Sequence, residues 1–206
     1  MNSATYCGAD GVLRCAWAAG THDYTAYHDH EWGRPVMSDA GLFEKLTLEA
    51  FQSGLSWRTI LTKRAGFRTA FASFDLASVA TMGEERIIAL LADGGIVRHR
   101  GKIEATINNA ARALELAADF GGLAPYFATY YAANSEPCSL ANSEANLPGT
   151  SERLARDLKQ RGWRFVGPTT VYAFMQACGL VNDHAHACDF HAPTESDRRA
   201  WTASHS

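Results

Sequence analysis

Arg161-Gly162-Trp163-Arg164-Phe165-Val166-Gly167-Pro168-Thr169-Thr170 joins two strongly helical stretches, 151–160 and 168–178. Gly167 can take a positive φ, and Pro168 suits the first turn of the helix that follows. The amides of that turn, Thr169 and Thr170 among them, would point outward without intrahelical partners, which makes a ready phosphate site. This is the layout of a helix-hairpin-helix, a device that grips a nucleic-acid backbone without reading sequence. The usual Gly-x-Gly of such hairpins is altered here, with Phe165 at the first glycine position. Gly and Pro also join helices in proteins that never meet DNA, so these ten residues leave both readings open.

Outward from the hairpin the chain reads as helices, with almost no strand signal. Ser38 or Asp39 can cap a helix carrying Leu42, Phe43, Leu46 and Ala50 on one face and ending near Gly54. Helical stretches follow over 55–71, after Asp75, over 84–93, and over 101–120, where Ile103, Ile107, Ala110, Ala111 and Leu114 keep helical spacing. Asn134 to Gly149 is rich in Asn, Ser and Pro and reads as a loop. The polar tail beyond Cys188 is expected to be poorly ordered. The expected fold class is all-α.

The 206 residues suffice for one sizeable core, and 47% hydrophobic with 20% charged content describes a globular protein. No apolar run reaches the ~18–20 residues of a membrane span, and the first thirteen residues lack the blocks of a signal peptide. Five cysteines form a sparse, odd set, unlike a disulfide framework, so a cytoplasmic protein is expected. A net charge of −3 argues against broad electrostatic coating of nucleic acid but permits a small footprint. Two basic clusters, Arg98-His99-Arg100 with Lys102, and Lys159 with Arg161 and Arg164, read most simply as solvated helix ends.

Cys15 and His28 stand twelve residues apart, and His184 and Cys188 three residues apart, at opposite ends of the chain. Two sulfurs and two nitrogens would complete a tetrahedral zinc site. With four protein ligands no position stays open for substrate, so such a zinc would be structural, tying the termini together. Spacing alone equally allows ordinary core and surface residues.

Trp17, Tyr24, Tyr27, Trp32 and Trp57 concentrate near the N-terminus, and Glu49 shares a helical face with Leu42, Leu46 and Ser53. A carboxylate on an apolar stripe must be paired, reach water at the rim, or face a pocket. Aromatics beside such a carboxylate suit a flat cationic or electron-poor ring, stacked on indole and phenol faces.

The stretches CAW, YTAYHDHEWGRP, LTLEAFQSGLSW, GGIVRHRGKIEATINNA and GWRFVGPTTVYAFMQACGLVNDH closely resemble the DNA-3-methyladenine glycosylase I family over residues 14–188. The resemblance implies a helix-hairpin-helix DNA glycosylase fold with structural Zn2+ on Cys15, His28, His184 and Cys188. A lobe of 14–35 and 180–190 would hold the metal, the hairpin would span about 151–178, and 1–13 and 191–206 would be flexible extensions. By the same resemblance Glu49 corresponds to the pocket glutamate that recognises the base and serves catalysis. Trp57 corresponds to the stacking tryptophan and Tyr27 to the tyrosine that bonds the base, with Trp17 and Tyr24 lining the pocket. Phe165, Gly167, Thr169 and Thr170 would meet the DNA backbone. Asp183, the nearest match to an aspartate used elsewhere in the wider superfamily, abuts His184 and is given no catalytic role. The implied protein is a monomeric, cytoplasmic repair hydrolase acting on double-stranded DNA with alkylated bases. A zinc deaminase is excluded by the absence of Pro-Cys-x-x-Cys. A zinc-stapled DNA-binding module without activity is the alternative, and retention of Glu49, Tyr27 and Trp57 speaks against it.

Overall fold

The computed structural model describes residues 4–131 and 148–203. Ten helices are described. They are α1 (His22–His30), α2 (Asp39–Gln52), α3 (Trp57–Ala70), α4 (Leu76–Ala80), α5 (Glu84–Ala92), α6 (Arg100–Phe120), α7 (Leu123–Ala128), α8 (Pro148–Gln160), α9 (Pro168–Ala177) and α10 (His191–Ala203). The caps follow local chemistry. Ser38 Oγ accepts from the Gly41 amide at 3.2 Å, Ser56 Oγ from Thr59 at 3.2 Å, and Asp75 Oδ1 from Ser78 at 2.9 Å. Residues 134–147 of the expected loop lie outside the described residues, and Pro148 and Gly149 belong to the first turn of α8.

Helix α2 is the hub. It packs against α3, α4, α6, α7 and α9, and Leu42, Phe43, Leu46, Leu48 and Phe51 are all buried along it. Its end is closed by a group that reads from sequence as a solvated cation. Lys102 is buried, and its Nζ donates to the carbonyls of Phe51 at 2.9 Å and Ser53 at 2.8 Å. A cation on the last carbonyls of a helix satisfies acceptors that have no intrahelical donor and complements the dipole. The basic cluster near residue 100 is thus partly architecture: His99 caps α6 and Arg100 pairs with Glu84 and Glu104.

Two expectations are corrected. The chain is not purely helical: Thr5–Cys7 (β1) and Leu13–Cys15 (β2) form an antiparallel ribbon with Thr5 opposite Cys15. The first thirteen residues therefore are not simply a flexible extension. Arg14 pins the ribbon, its Nε donating to Asp29 at 2.9 and 3.0 Å while its terminal nitrogens hold Asp10.

The segment after Cys188 is likewise ordered, as α10. Arg198 is fully buried; its Nε donates to the Gly179 carbonyl at 2.7 Å and Nη2 to the Leu180 carbonyl at 3.0 Å. It also pairs with Glu195 and lies over the Tyr131 ring at 4.9 Å. The helix is polar in composition, so its docking rests on Trp201 and on an arginine reaching carbonyls that a sequence scan cannot see. Gly179, at φ +75°, allows this crossing, because a Cβ there would stand 2.6 Å from the Gly33 carbonyl oxygen.

Arg198→Met should therefore strip two carbonyls and Glu195 of their partner and lower stability by about 3–5 kcal/mol in urea unfolding. A loss under about 1 kcal/mol, the range of an exposed ion pair, would show that α10 is held by other contacts.

Candidate base-binding pocket and metal centre

Short local segments deliver the pocket. One 3-10 turn, Ala16–Ala18, presents Trp17; α1 presents Tyr24 and Tyr27, one turn apart; Trp32 follows α1. Helix α2 contributes Glu49 and Gln52, α3 opens with Trp57, and α9 adds Ala173 and Gln176 at the same one-turn spacing. With Asp183 these residues enclose about 280 Å³, room for one flat heteroaromatic ring system. All five residues expected to bind the base come together here. Trp17 meets Tyr24 edge-on at 5.5 Å, and Tyr27 and Trp57 lie 5.2 Å apart with their planes inclined by 44°.

The polar atoms of this cavity are unpartnered. The Tyr27 hydroxyl and the Trp57 indole nitrogen are buried without a hydrogen bond among the described residues. Glu49 is 6% exposed and receives no hydrogen bond from any described residue. Asp183, set aside in the sequence, forms part of the wall. Its Oδ2 accepts from Tyr172 Oη at 2.5 Å and Gln176 Nε2 at 2.6 Å, while Oδ1 is buried and unpartnered. Buried polar atoms left open in a folded protein mark a ligand site better than they mark a core. Burial pushes the Glu49 carboxyl up to about 8, opposed by Lys45 one turn earlier on α2. Burial, reinforced by Glu49, also holds the Tyr27 hydroxyl well above its usual range.

The termini meet at a second cluster. Cys15, His28 and Cys188 place a ligand atom each within 4.8 Å of one another, all buried. Cys188 Sγ is 3.6 Å from His28 Nε2, and the Ala185 amide points at Cys15 Sγ at 3.3 Å. His28 Nδ1 lies 2.8 Å from Asp29 Oδ1, which leaves Nε2 to face the sulfurs, the arrangement that orients a ligating imidazole. His184, the fourth expected ligand, is outside that close group. Its ring centroid lies 4.9 Å from that of His28, Nδ1 is bonded to Asn182 at 3.1 Å, and Nε2 is buried with no partner. Burial holds its imidazole neutral, the ligating form, at about 3. The group can hold a metal ion: two soft sulfurs, a nitrogen aimed between them and one orphaned imidazole nitrogen suit such an ion better than an apolar core.

At the hairpin one expectation is reversed. Gly167 sits at φ −69°, an ordinary extended value, and the positive φ belongs to Phe165, at +56°. Phe165 thus takes the conformation of the glycine it replaces, with its ring exposed and edge-on to His99 at 6.1 Å. The strain is held by a clamp that the sequence reading missed. Asn109 on α6 accepts from the Arg164 amide at 2.8 Å and donates to the Arg164 carbonyl at 2.9 Å, and Asn108 donates to the Gly162 carbonyl at 2.9 Å. Adjacent asparagines inside a long helix, where they are poor helix formers, were the available signal. A Cβ on Gly167 would meet nothing within 4 Å, so this position faces open space. Pro168 opens α9, and its first intrahelical donor is Val171, leaving the Thr169 and Thr170 amides free to meet an anion.

Comparison with known proteins agrees with this geometry. Residues 17–192 match the family model of methyladenine glycosylases. The DNA-3-methyladenine glycosylase 1 of Escherichia coli K12 is 43% identical over 179 residues, covering 85% of this chain and 95% of that protein. The Haemophilus influenzae DNA-3-methyladenine glycosylase is 39% identical, covering 86% and 97%. Among solved structures, a crystal structure of 3-methyladenine DNA glycosylase I superposes with TM-score 0.79 at 42% identity, covering 86% of this chain and 99% of that one. The Staphylococcus aureus enzyme, solved to explain 3-methyladenine recognition, gives 0.78 at 36% identity, covering 86% and 96%.

The pocket carboxyl has a consequence for stability. Unfolded, Glu49 titrates near 4.5; folded, near 8. Between these values the unfolded chain releases a proton that the folded chain keeps, so stability contributed by this group falls as pH rises. Glu49→Gln should be more stable than the parent at pH 8 and indistinguishable from it near pH 4. Parallel unfolding curves across pH 4–8 would show that Glu49 is not burdened by burial.

Proposed function

The chain belongs to the methyladenine glycosylase family, and from that premise we propose that it is a base-excision repair hydrolase releasing 3-methyladenine from alkylated DNA. One observation carries the reading: a buried pocket combines stacking rings with a carboxyl, a hydroxyl, an indole N–H and an Asp183 oxygen, all unpartnered. A binding module without activity would gain nothing from holding Glu49 and Asp183 oxygens dry.

Methylation at N3 places positive charge on adenine and weakens its glycosidic bond. The nucleotide leaves the duplex and its base enters between Trp57, Tyr27, Trp17 and Tyr24. Glu49 and Asp183 accept from the base's N–H donors, and Glu49 favours the cation over neutral adenine. The C1′–N9 bond breaks, its electron pair cancels the charge on the ring, and water adds to C1′ and gives its proton to solvent. The products are free 3-methyladenine and an abasic site. Little acid catalysis is required of the protein, because the leaving group is already activated. The hairpin amides of Gly167, Thr169 and Thr170, with Phe165 beside them, hold the backbone of double-stranded DNA without reading bases. Zn2+ would bind Cys15, His28, His184 and Cys188 and fix the two termini; closed by four ligands, it takes no part in the chemistry. The protein acts as a monomer in the cytoplasm; no described helix is long and apolar enough to cross a membrane.

The test is release of 3-methyladenine from methylated DNA, with binding of the free base followed by tryptophan fluorescence. Hydrogen bonds to charged groups are worth about 1.5–3 kcal/mol, so Glu49→Gln should lose roughly ten- to hundredfold in both. Trp57→Ala should lose a similar factor, since base stacking is worth about 1–3 kcal/mol. Parental activity in folded Glu49→Gln would overturn the pocket assignment.

Cys188→Ser should lose zinc by elemental analysis and melt at lower temperature, with activity per folded molecule retained. A zinc-free variant of parental stability would rule out the structural metal.

A further inference from the structure

Lys45 precedes Glu49 by one helical turn and stands behind the pocket wall, its Nζ 5.2 Å from the centre of the Tyr27 ring. Residues at i and i+4 face the same side of a helix, so the ammonium and the pocket carboxyl share one face of α2. No hydrogen bond from a described residue satisfies Lys45. Its carboxylate neighbours are Glu31 and Glu49. Glu31 is already committed: Arg64 clamps both its oxygens, at 2.5 and 2.9 Å. Cys178, the third group near Lys45, is a buried thiol pushed up to about 12 by desolvation and is therefore neutral. Glu49 is the uncommitted anion.

The view from Glu49 agrees. The titratable groups around it are Tyr24 and Tyr27 on α1, Lys45 on α2, Cys178 just past α9 and Asp183 in the loop beyond. Lys45 is the cation among them.

We propose that Lys45 is a positioning residue for base recognition: from behind the Tyr27 ring it supplies the counter-charge that keeps a share of Glu49 ionised in the empty pocket. A cationic base then meets a carboxylate and does not have to expel a proton first. The lysine stands behind the wall and outside the cavity, so it acts on Glu49 without occupying the place of the ligand. This deepens the proposed function and rests on it for its purpose, though the charge pair itself can be tested without DNA or base.

The experiment is a carbon-13 NMR titration of side-chain carboxyls in the full chain, with the Glu49 resonance assigned by its loss in Glu49→Gln. An opposite charge at contact range moves a carboxyl by about 1–3 pH units. Lys45→Met should therefore shift the Glu49 midpoint upward by at least about one unit, and Lys45→Arg should restore it. The pH at which base release reaches half its plateau should move upward with it in Lys45→Met. A reciprocal measurement needs no change at Lys45: in Glu49→Gln the Lys45 ammonium should titrate at lower pH than in the parent, because its counter-charge is gone. A folded Lys45→Met with an unmoved Glu49 midpoint, or a Lys45 midpoint indifferent to Glu49→Gln, would overturn the proposal. Coupled midpoints in a protein that released no base would leave the charge pair standing and overturn the repair reading instead.

Discussion

A carboxyl held out of water on the most enclosed helix is the constraint around which this molecule is arranged. Glu49 has no ion-pair partner in contact and no donor among the described residues, so its desolvation is opposed only by Lys45 and by whatever enters the cavity. Such a position is sustained because α2 cannot relax. Five helices surround it, Ser38 fixes its first turn and Lys102 fixes its last carbonyls. Rigid support of a strained polar group is what preorganises a binding site. The aromatic walls add area without adding freedom, since each ring is wedged against another.

The second dependence is topological. Trp17, Tyr24 and Tyr27 come from the N-terminal segment and Asp183 from the C-terminal one, so the pocket exists only while the termini are joined. Leu13 and Asp189 exchange two hydrogen bonds, at 2.8 and 2.9 Å across 176 residues. Cys15, His28 and Cys188 gather directly beside that contact, and Asp29 links His28 to Arg14 and so to the ribbon. Contacts so distant in sequence close the largest loops and carry the largest entropy of closure. A metal ion there would fasten the join that local propensity cannot provide, and the Trp17 and Trp32 rings packed on this small cluster pass its rigidity to the pocket wall.

Local chemistry was legible in the sequence. Ser38 and Asp75 announced helix starts, Glu49 stood out on its apolar stripe, and the hairpin declared its helix through Pro168. What escaped depended on partners far away in the chain. Phe165 adopts a glycine-like φ only because Asn109, on another helix, grips both polar groups of Arg164. The terminal helix is too polar to be expected to pack, yet Arg198 finds two carbonyls beside Gly179. Lys102 looked like surface charge until its targets, the end of α2, were in place. Asp183 was discounted for its neighbour His184, but the backbone turns between them, and one side chain joins the metal cluster's surroundings while the other joins the pocket.

The charges in the pocket also divide recognition from rate. In the bound lesion the positive charge lies on the base, and Glu49 stabilises it. As the glycosidic bond breaks, that charge passes to the sugar, so the contact with Glu49 weakens toward the transition state. An interaction stronger in the ground state than in the transition state selects a substrate without accelerating it. Acceleration then has to come from the alkylated base as a leaving group and from holding the nucleotide out of the duplex where water can reach C1′. A counter-charge behind Glu49 fits this division, because a full, uncompensated carboxylate would hold the cation too firmly to let its charge depart. The pocket is built to choose a base that is already prepared to leave.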